Sequence, residues 1–527
     1  MKGFLLTTFA LFFAIGLFAQ DVTVPNVSDK MKKYRGVESI EGLGYFCFVV
    51  DEKSKKGYKV FKLYIWDYEM NEIAVPKIEL EKKSIIMDAV FNGNNFLVAF
   101  YDSRRNNVRT VAFDKTGKKV ADLVEDGMKT AYMLIEDMQP SYYPAGDQGF
   151  YGIIPEKDKK FGFTVKKVTN DLKVVWSKKY FPEKGMQVVL DAKSDGNKLI
   201  LLKYSKDKKF SKILDVDLTA FGTVDGEEMW TYDLNTDGKV LMPMELDINE
   251  KGETAVAGMY FDGDKIKGGN SDGIFFSHVD NSGDQLSLTT QPWDGELQDF
   301  VKESKNSFTA GKPKVIFEDI IYNASTGEYK LVGEIYTVAA LGKALAMLSG
   351  ESDAESRVTL EDIVVFTFSS EGKLVDFYAI NKTKTNIMIP AAWAGGVRIS
   401  WALKSTGSLP IKYTALDENG DAVVFFIDGA KVDENGSLVN SEGKKLFNGS
   451  NNLAVGMLNL NKSSAQNTEL KYLPLSRKAA KNDEDSDIEY DSKTRVVQIT
   501  ESKPGFILIS DLKKKANSLN IWLEEIK

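Results

Sequence analysis

The stretch Asn95-Phe96-Leu97-Val98-Ala99-Phe100-Tyr101 is followed by a second apolar run, Val108-Arg109-Thr110-Val111-Ala112-Phe113, and then by the turn Asp114-Lys115-Thr116-Gly117. A third run, Lys118 to Val124, completes the unit. Short apolar runs separated by turn residues are typical of β-strands joined as hairpins. Hairpin turns demand a residue that tolerates a positive φ, so the turn glycine is interpreted as structural.

The same unit recurs along the chain. In one copy, Ala255 to Tyr260 leads to Gly273 to Val279, and the turn Asp280-Asn281-Ser282-Gly283 follows. Related turns are Ser370-Glu371-Gly372-Lys373 and Asp417-Glu418-Asn419-Gly420. Long helical periods are nearly absent, so the repeat predicts an all-β protein.

Counting these units gives eight ranges. They are Gly44 to Leu80, Ile85 to Glu125, Gln148 to Phe181, Val188 to Leu234, Val240 to Pro292, Val315 to Lys382, Ile411 to Arg477 and Ile488 to Ile526. Seven of them can be read as four strands each. This pattern predicts a β-propeller of eight four-stranded blades, with seven blades as the other count. Stacked β-sandwiches are the alternative fold.

The last range offers only three strands, the final one being Leu519 to Ile526. A ring of blades must close, and a strand from the other end of the chain can complete the deficient unit. Val22-Thr23-Val24-Pro25-Asn26-Val27 is the candidate, because an outermost strand tolerates a proline. We therefore expect this N-terminal strand to pair with the last strand of the chain.

Composition limits the class of protein. The chain has 527 residues, of which 43% are hydrophobic, and a net charge of −8. This is enough apolar material for a folded core, and the negative charge argues against a nucleic-acid partner. Large all-β chains often form one unit, so residues 20–527 are interpreted as a single domain. The protein is expected to be a monomer.

The first residues have the pattern of a secretory signal. Met1-Lys2 is basic, Phe4 to Phe18 is apolar, and a small residue, Ala19, precedes polar chain. This order predicts a signal peptide over residues 1–19 and a mature chain that begins at Gln20. No later apolar run reaches the length of a membrane span, so the expected location is the periplasm or the extracellular space.

Three stretches depart from the strand pattern. Apolar residues at helical spacing occur near 297–309 and near 338–356, and the third stretch is Ala391-Ala392-Trp393-Ala394-Gly395-Gly396. Insertions in propellers map to loops, which often carry function. An apolar helix that covers a blade face explains the same pattern.

Few residues are available for nucleophilic or metal chemistry. The chain contains one histidine, His278, inside the strand Phe275 to Val279, and one cysteine, Cys47, inside the apolar strand Tyr45 to Val49. A hydrolase of the Ser-His-Asp or Cys-His type needs an imidazole beside its nucleophile. Both residues are interpreted as strand residues, and a zinc site built from histidines and cysteines is excluded by their number.

One string resembles the start of a calcium loop. Asp233, Asn235 and Asp237 place oxygen ligands at alternate positions, and Gly238 supplies the sharp turn. The twelfth position requires a bidentate glutamate but holds Met244. The alternative is a hairpin turn rich in aspartate and asparagine, in which case the protein has no cofactor. Asp262-Gly263-Asp264 is a weaker string of the same kind.

Carbohydrate chemistry is the enzymatic alternative. A glycosidase on this fold would gather aspartates and glutamates from several blades around the central channel, with carboxyl groups about 5–9.5 Å apart. Trp293, Trp393 and Trp401 are the aromatic residues that would stack on sugar rings. Packing in the core is the alternative role for all three.

One segment carries a family resemblance. Met259-Tyr260-Phe261, Gly268-Gly269, Gly273-Ile274-Phe275-Phe276 and Asp280 form a Gly-x-Tyr, Gly-x-Phe and Asp arrangement. It is similar to the repeated hairpins of uncharacterised secreted proteins of Gram-negative bacteria, which look propeller-like. The resemblance implies a propeller-like fold and export of the protein. It implies no particular activity.

These observations favour a secreted, non-catalytic propeller that acts as a binding or assembly scaffold in the cell envelope. The expected partner is a protein or a glycan. The alternative function is a carbohydrate-active enzyme that uses channel carboxylates.

Overall fold

The strands of this protein cover most of the chain that the structure describes. The computed structural model describes residues 21–27, 36–40, 42–51, 57–102, 104–105, 107–125, 141–157, 160–207, 213–236, 238–264, 271–295, 297–298, 313–338, 355–390, 399, 403, 411–416, 421–429, 431–432, 438–439, 453–473, 490–491, 495–513 and 516–526. These residues form several sheets in which nearly all strand pairs are antiparallel, so the predicted all-β class is confirmed.

The described strands fall into eight groups of sequence neighbours. After β1 (Val22–Pro25), the first group is β2 (Val37–Ile40), β3 (Gly44–Asp51), β4 (Tyr58–Asp67), β5 (Glu72–Ala74) and β6 (Lys77–Glu81), and the second is β7 (Ser84–Phe91), β8 (Asn95–Asp102), β9 (Asn107–Asp114) and β10 (Lys119–Glu125). The third is β11 (Ser141–Pro144), β12 (Gly149–Lys157), β13 (Phe161–Thr169) and β14 (Val174–Tyr180), and the fourth is β15 (Met186–Ser194), β16 (Lys198–Lys206), β17 (Ile213–Gly222) and β18 (Glu228–Asp233). The fifth is β19 (Lys239–Ile248), β20 (Thr254–Asp262), β21 (Gly273–Val279) and β22 (Gln285–Pro292).

The remaining groups lie in the last part of the chain. The sixth is β23 (Val315–Asn323), β24 (Glu328–Val338), β25 (Glu355–Phe368) and β26 (Leu374–Ile380), with β27 (Thr385–Pro390) added beside β25. The seventh is β28 (Ile411–Leu416), β29 (Ala422–Gly429), β32 (Leu453–Asn459) and β33 (Leu470–Tyr472), with the hairpin β30 (Lys431–Val432) and β31 (Leu438–Val439) between its strands. β34 (Tyr490–Asp491) pairs with β27, and the eighth group is β35 (Arg495–Glu501), β36 (Phe506–Lys513) and β37 (Ser518–Glu525).

The observed groups follow the eight ranges expected from the sequence. The ranges that begin at Gly44 and Gln148 each miss the short first strand of their group, β2 and β11. β27 is also additional: it pairs with the first half of the long strand β25, while β26 pairs with the second half. Short strands carry few residues and therefore a weak alternation pattern.

The two ends of the chain meet in one sheet. β1 pairs antiparallel with β37, with Val22 opposite Ile521 and Val24 opposite Leu519. The sheet order is therefore β1-β37-β36-β35, which gives the eighth group its fourth strand. The predicted pairing of the N-terminal strand with the last strand is confirmed.

Hydrophobic clusters lie between successive groups. Each cluster contains buried side chains of two or three groups, and the cluster with Leu519 of the eighth group also contains Cys47 of the first group. The other clusters contain, in chain order, Phe61 and Phe96, Leu97 and Phe150, Phe163 with Leu201 and Val256, Phe276 and Phe368, Val365 and Phe426, and Phe425 and Ile509. Every group thus packs against the next, and the last packs against the first.

A turn of one group packs against the last strand of the preceding group in two places. Trp230 of β18 packs against Gly283 in the β21–β22 turn, whose φ is 89°. A Cβ atom at Gly283 would lie 2.6 Å from the Trp230 ring, and the indole Nε1 donates to the carbonyl of Asn281 at 3.1 Å. Trp176 of β14 makes the equivalent contact with Gly226, 2.5 Å from the position of a Cβ. The predicted structural role of the Gly283 turn is confirmed.

The regions expected to hold insertions are only partly described. Leu297 is buried in a short helical turn, and residues 299–312 lie outside the described residues. Val338 ends β24, and residues 339–354 lie outside the described residues as well. The same is true of residues 391–398, which include the third stretch singled out in the sequence.

Candidate functional site

The first strands of the groups lie side by side. β7 contacts β11, β11 contacts β15, β15 contacts β19, β19 contacts β23, β23 contacts β28, β28 contacts β35, and β35 contacts β2. The last strands form the opposite edges of their sheets and carry the exposed side chains, as the alternation in β10 shows. The first strands therefore form a continuous series of contacts, and we looked there for a site shared by several groups.

Four of these first strands carry an acidic residue directly after a one-residue bulge. The residues are Asp88 on β7, Asp191 on β15, Glu245 on β19 and Asp319 on β23. A bulge re-aims the following side chain and often lies beside a functional position. The repetition at the same place in four groups makes this the candidate site.

Hydrogen bonds show what the carboxylates do. The backbone N–H of the next residue donates to the carboxylate in three cases: Ala89 to Asp88 at 2.8 Å, Ala192 to Asp191 at 2.8 Å and Ile320 to Asp319 at 2.9 Å. These bonds occupy backbone donors that the bulge removes from the sheet ladder.

Asp88 also connects two groups. Its second carboxylate oxygen accepts the backbone N–H of Tyr142, on the first strand of the next group, at 2.7 Å. A charged acceptor makes such a bond stronger than one between neutral groups. This carboxylate therefore holds β7 and β11 together.

One cluster on the first strands combines two carboxylates with a lysine. The Lys193 ammonium on β15 lies 3.8 Å from the Asp247 carboxylate on β19. Burial raises the pKa of Asp247, and the negative charge of Asp191 raises it further, while Lys193 opposes the shift. A carboxyl group with a raised pKa beside a second carboxylate is the arrangement that general acid catalysis uses.

The single histidine lies in a buried polar network. Nε2 of His278 is 2.8 Å from the Tyr329 hydroxyl and 3.3 Å from the Glu253 carboxylate. The amide of Asn249 donates to Tyr329 at 2.9 Å and to Glu253 at 2.7 Å. Burial is the largest cause that raises the pKa of Tyr329. The network connects the fifth group to the sixth, and His278 is a buried strand residue as expected.

The calcium-like string is only partly within the described residues. Asp233 Oδ1 accepts the backbone N–H of Asn235 at 2.8 Å, and the Asn235 amide donates to Asp215 at 3.2 Å. Asp237 lies outside the described residues. Within the described part of the chain, no three His, Cys, Asp or Glu side chains are grouped to hold a metal ion. The calcium hypothesis stays a prediction, and an unchanged melting midpoint after adding a chelator would contradict it.

Of the remaining residues singled out in the sequence, two lie within the described part of the chain and two lie outside it. Cys47 is buried, outside any disulfide, in the cluster between the eighth and first groups. Trp293 packs in the core, where its indole donates to Ser271 Oγ at 2.9 Å. Trp393 and Trp401 lie outside the described residues.

The bulge carboxylates were missed in the sequence, although a signal was present. Met87-Asp88-Ala89 and Leu190-Asp191-Ala192 each place one acidic residue inside an otherwise apolar strand. A lone charge in the middle of a buried strand breaks the alternation and needs a partner. Searching the first strand of each unit for that interruption would have found them.

Among the described residues, no helix has both the length and the apolar character needed to cross a membrane. A family model described as "family of unknown function" matches residues 1–446 of the chain. The search of curated proteins finds no match.

Several solved structures are similar at low identity. A europium-containing methanol dehydrogenase is 10% identical with a TM-score of 0.34, covering 77% of this chain and 85% of its own. The periplasmic gluconolactonase PpgL of Pseudomonas aeruginosa is 11% identical with a TM-score of 0.35, covering 78% and 94%. The β-propeller domain of the Trilobed protease from Pyrococcus furiosus is 12% identical with a TM-score of 0.30, covering 55% and 74%. Likenesses of this size assign neither a fold nor an activity to the chain.

Proposed function

The chain belongs to DUF6770, a family of unknown function, and from this premise we propose that it is a secreted, non-catalytic β-propeller of eight blades that binds a protein or glycan in the cell envelope. Three observations each support one part of this proposal: the packing of the strand groups, the hydrogen bonds of the bulge carboxylates on the first strands, and the N-terminal sequence.

The packing order supports the ring. Each of the eight strand groups packs against both neighbours in chain order, and the eighth packs against the first through Leu519 and Cys47. Stacked sandwiches pair sheets face to face and do not give every sheet two such neighbours. Completion of the eighth group by β1 joins the first blade to the last, as ring closure requires.

The observation that best supports a scaffold function is the hydrogen bonding of the bulge carboxylates on the first strands. Asp88, Asp191 and Asp319 each accept a backbone N–H of their own strand, and Asp88 holds the next first strand as well. A side chain that accepts the N–H of a buried backbone group stabilises the strand that carries it, which is a structural role. A rigid ring with loops at its ends is a suitable frame for binding.

Export rests on the N-terminal sequence. The apolar stretch Phe4 to Phe18 followed by Ala19 is the pattern of a cleaved signal. Expression of the full chain in a Gram-negative host, followed by fractionation and mass spectrometry, tests this part. We expect a product in the periplasm or medium that starts at Gln20, and a cytoplasmic product that retains Met1 would contradict it.

A carbohydrate-active enzyme is the second candidate function, favoured by the Asp191, Lys193 and Asp247 cluster. A glycosidase needs one carboxyl group that stays protonated near neutral pH and a second that is ionised. Burial raises the pKa of Asp247 and the negative charge of Asp191 raises it further, which is a shift in the direction that a general acid needs.

One experiment separates the two functions. Purified protein is incubated with a panel of polysaccharides, and both retention on each polysaccharide and release of reducing ends are measured. We expect no turnover, and we expect any retention to be the same in Asp191→Asn and Asp247→Asn as in the unaltered protein. The matched control is Glu250→Gln, an exposed carboxylate in the β19–β20 turn. Turnover that either aspartate variant abolishes and the control preserves would overturn the scaffold proposal.

A further inference from the structure

A buried lysine lies where the fourth group meets two turns of the fifth. The side chain of Lys198, the first residue of β16, is only 1% exposed. Its Nζ donates to the carbonyl of Gly252 at 2.5 Å and to Asn281 Oδ1. Gly252 lies in the β19–β20 turn, and Asn281 lies in the β21–β22 turn. One amine of the fourth group is therefore held against a carboxamide of the fifth.

Gly252 leaves the space in which the two side chains meet. Its φ is 76°, and a Cβ atom at this position would lie 3.3 Å from Asn281 Cγ and 3.5 Å from Lys198 Nζ. Both atoms therefore lie over the same backbone position, with no side chain of Gly252 beside them. The hydrogen bond to Oδ1 brings Nζ next to the carboxamide carbon, because that carbon is bonded to the same oxygen.

The turn that carries Asn281 is fixed against the fourth group. Trp230 Nε1 of β18 donates to the carbonyl of Asn281 at 3.1 Å. Within the turn, Asp280 Oδ1 accepts the backbone N–H of Ser282 at 2.8 Å. These bonds hold the main chain on both sides of Asn281, so its carboxamide is already positioned beside Lys198. Positioning of two reacting groups in this way removes much of the entropic cost of bringing them together.

Burial favours the neutral form of the lysine. It is the largest cause that lowers the pKa of Lys198, and the negative charges of Asp195 and Asp280 oppose the shift. A neutral amine has a free electron pair and is a nucleophile, whereas an ammonium group is not. A lysine whose pKa is lowered by burial therefore has more of its amine in the reactive form.

A carboxylate lies where a proton acceptor is needed. Asp195 Oδ2 is 4.0 Å from Lys198 Nζ. The other oxygen, Oδ1, accepts the backbone N–H of Asn197 at 2.8 Å and that of Lys198 at 2.9 Å. These two bonds fix the carboxyl group in the turn before β16, and Oδ2 is the oxygen that takes part in proton transfer with the amine.

We propose that Lys198 and Asn281 form an intramolecular isopeptide bond that links the fourth group to the fifth. The Lys198 amine attacks Cγ of Asn281, Asp195 Oδ2 accepts the proton that the amine loses and passes it to the carboxamide nitrogen, and ammonia leaves. One C–N bond forms and one C–N bond breaks, so no oxidant, reductant or co-reactant is needed. Asn281 lies in an exposed turn, which gives the ammonia a path to solvent.

The bond supplies a covalent connection that cysteines do not supply in this chain. Cys47 is the only cysteine, so no disulfide forms within one molecule. Residues 199–280 lie between the two linked positions, and a covalent link across a long segment restricts the unfolded chain. The link concerns the stability of the fold and is independent of the proposed binding function, so failure of one leaves the other unaffected.

Mass spectrometry of the purified mature protein tests the proposal. The link lowers the mass of the protein by one ammonia molecule, but cyclisation of Gln20 or a succinimide at Asn281 gives the same loss. The tryptic peptides separate these cases, because only the isopeptide bond joins two peptides. Trypsin does not cleave at a linked Lys198, so we expect a branched peptide in which residues 194–203 are joined to residues 268–302.

Three variants assign the reacting groups. Lys198→Arg and Asn281→Ala are expected to abolish the branched peptide. Asp195→Asn is expected to slow formation of the link by about 100-fold, followed as the linked fraction over time after purification. Lys203→Arg is the matched control, because Lys203 is a second lysine of β16 and pairs with Asp217 at 2.8 Å. We expect this control to retain the branched peptide.

Two outcomes would overturn the isopeptide bond: recovery of residues 194–198 and 268–302 as separate peptides only, or loss of ammonia that persists in Lys198→Arg. Equal rates of link formation in Asp195→Asn and the unaltered protein would overturn the role given to that carboxylate. The peptide map of the unaltered protein decides the first point even where a variant does not fold, and melting midpoints show which variants are folded.

Discussion

At the scale of single residues, positions that look ordinary in the sequence acquire their role from a neighbour far along the chain. Gly283 is one example, because Trp230 occupies the space that a side chain would need. Asp247 is another, since its environment depends on Lys193 and Asp191 of the preceding group. Both residues allow a test with a single substitution.

The contact at Gly283 predicts a steric cost beyond backbone strain. Alanine at a positive φ costs about 1 kcal/mol, and overpacking adds about 1–3 kcal/mol. Gly283→Ala should therefore lower the free energy of unfolding by about 2–4 kcal/mol, measured by chemical denaturation. Gly196 is the matched control, because its φ is 88° and no atom lies within 4 Å of the position of a Cβ. Equal losses in Gly283→Ala and Gly196→Ala would show that the Trp230 contact contributes nothing.

The raised pKa of Asp247 predicts a pH-dependent stability. A carboxyl group whose pKa is higher in the folded state binds more protons there, so stability falls as the pH rises from its ordinary pKa to the raised value. Asp247→Asn removes this penalty and should raise the melting midpoint at pH 7 relative to the unaltered protein. The difference should vanish near pH 3, where the carboxyl group is protonated in both states. A variant that is less stable at pH 7 would contradict the assignment.

At the scale of elements, an edge strand in each of six groups has a bulge that exposes an apolar side chain. The exposed residues within the described part of the chain are Ile73, Val120, Val175, Met229, Leu286 and Val375, and each follows a turn residue of positive φ by three positions. Bulges on edge strands hinder pairing with another chain. The residue after the bulge turns inward, as Trp176 does against Gly226.

This alternation predicts opposite outcomes for two adjacent residues of β14. Val175 is 51% exposed and Trp176 is 8% exposed. Val175→Ala should change the free energy of unfolding by less than about 0.5 kcal/mol, and Trp176→Ala should lower it by about 3 kcal/mol or more. Urea denaturation of both variants measures the difference. Similar losses of unfolding free energy in the two variants would mean that the contact of Trp176 with Gly226 does not stabilise the packing of the third group against the fourth.

At the scale of the whole molecule, the pairing of β1 with β37 connects the two ends of the chain. Val24 and Val27 are buried in the cluster between the eighth and first groups, and the backbone N–H of Val27 donates to the carbonyl of Asn517 at 2.9 Å. In a ring, loss of this strand leaves an unpaired edge and an incomplete group at the same place.

Removal of residues 20–27 should therefore lower stability, and a separate peptide should restore it. Burial of two valines contributes about 3 kcal/mol, so we expect a lower melting midpoint in the truncated protein. A synthetic peptide of residues 20–27 should raise the midpoint again in a concentration-dependent manner, while a peptide of scrambled order should not. An unchanged midpoint after truncation would show that pairing of β1 with β37 does not stabilise the protein.

The sequence by itself determined the class of fold, the extent of most strand groups and the pairing partner of Val22 to Val27. These features follow from local alternation, turn residues and the count of strands, all of which are read within short windows. Only the tertiary structure decided that Asp88 holds Tyr142, that His278 contacts Tyr329, and that Lys198 contacts Asn281. The physical reason is that these contacts join residues on different strands, often in different groups, and their distances depend on how the sheets pack.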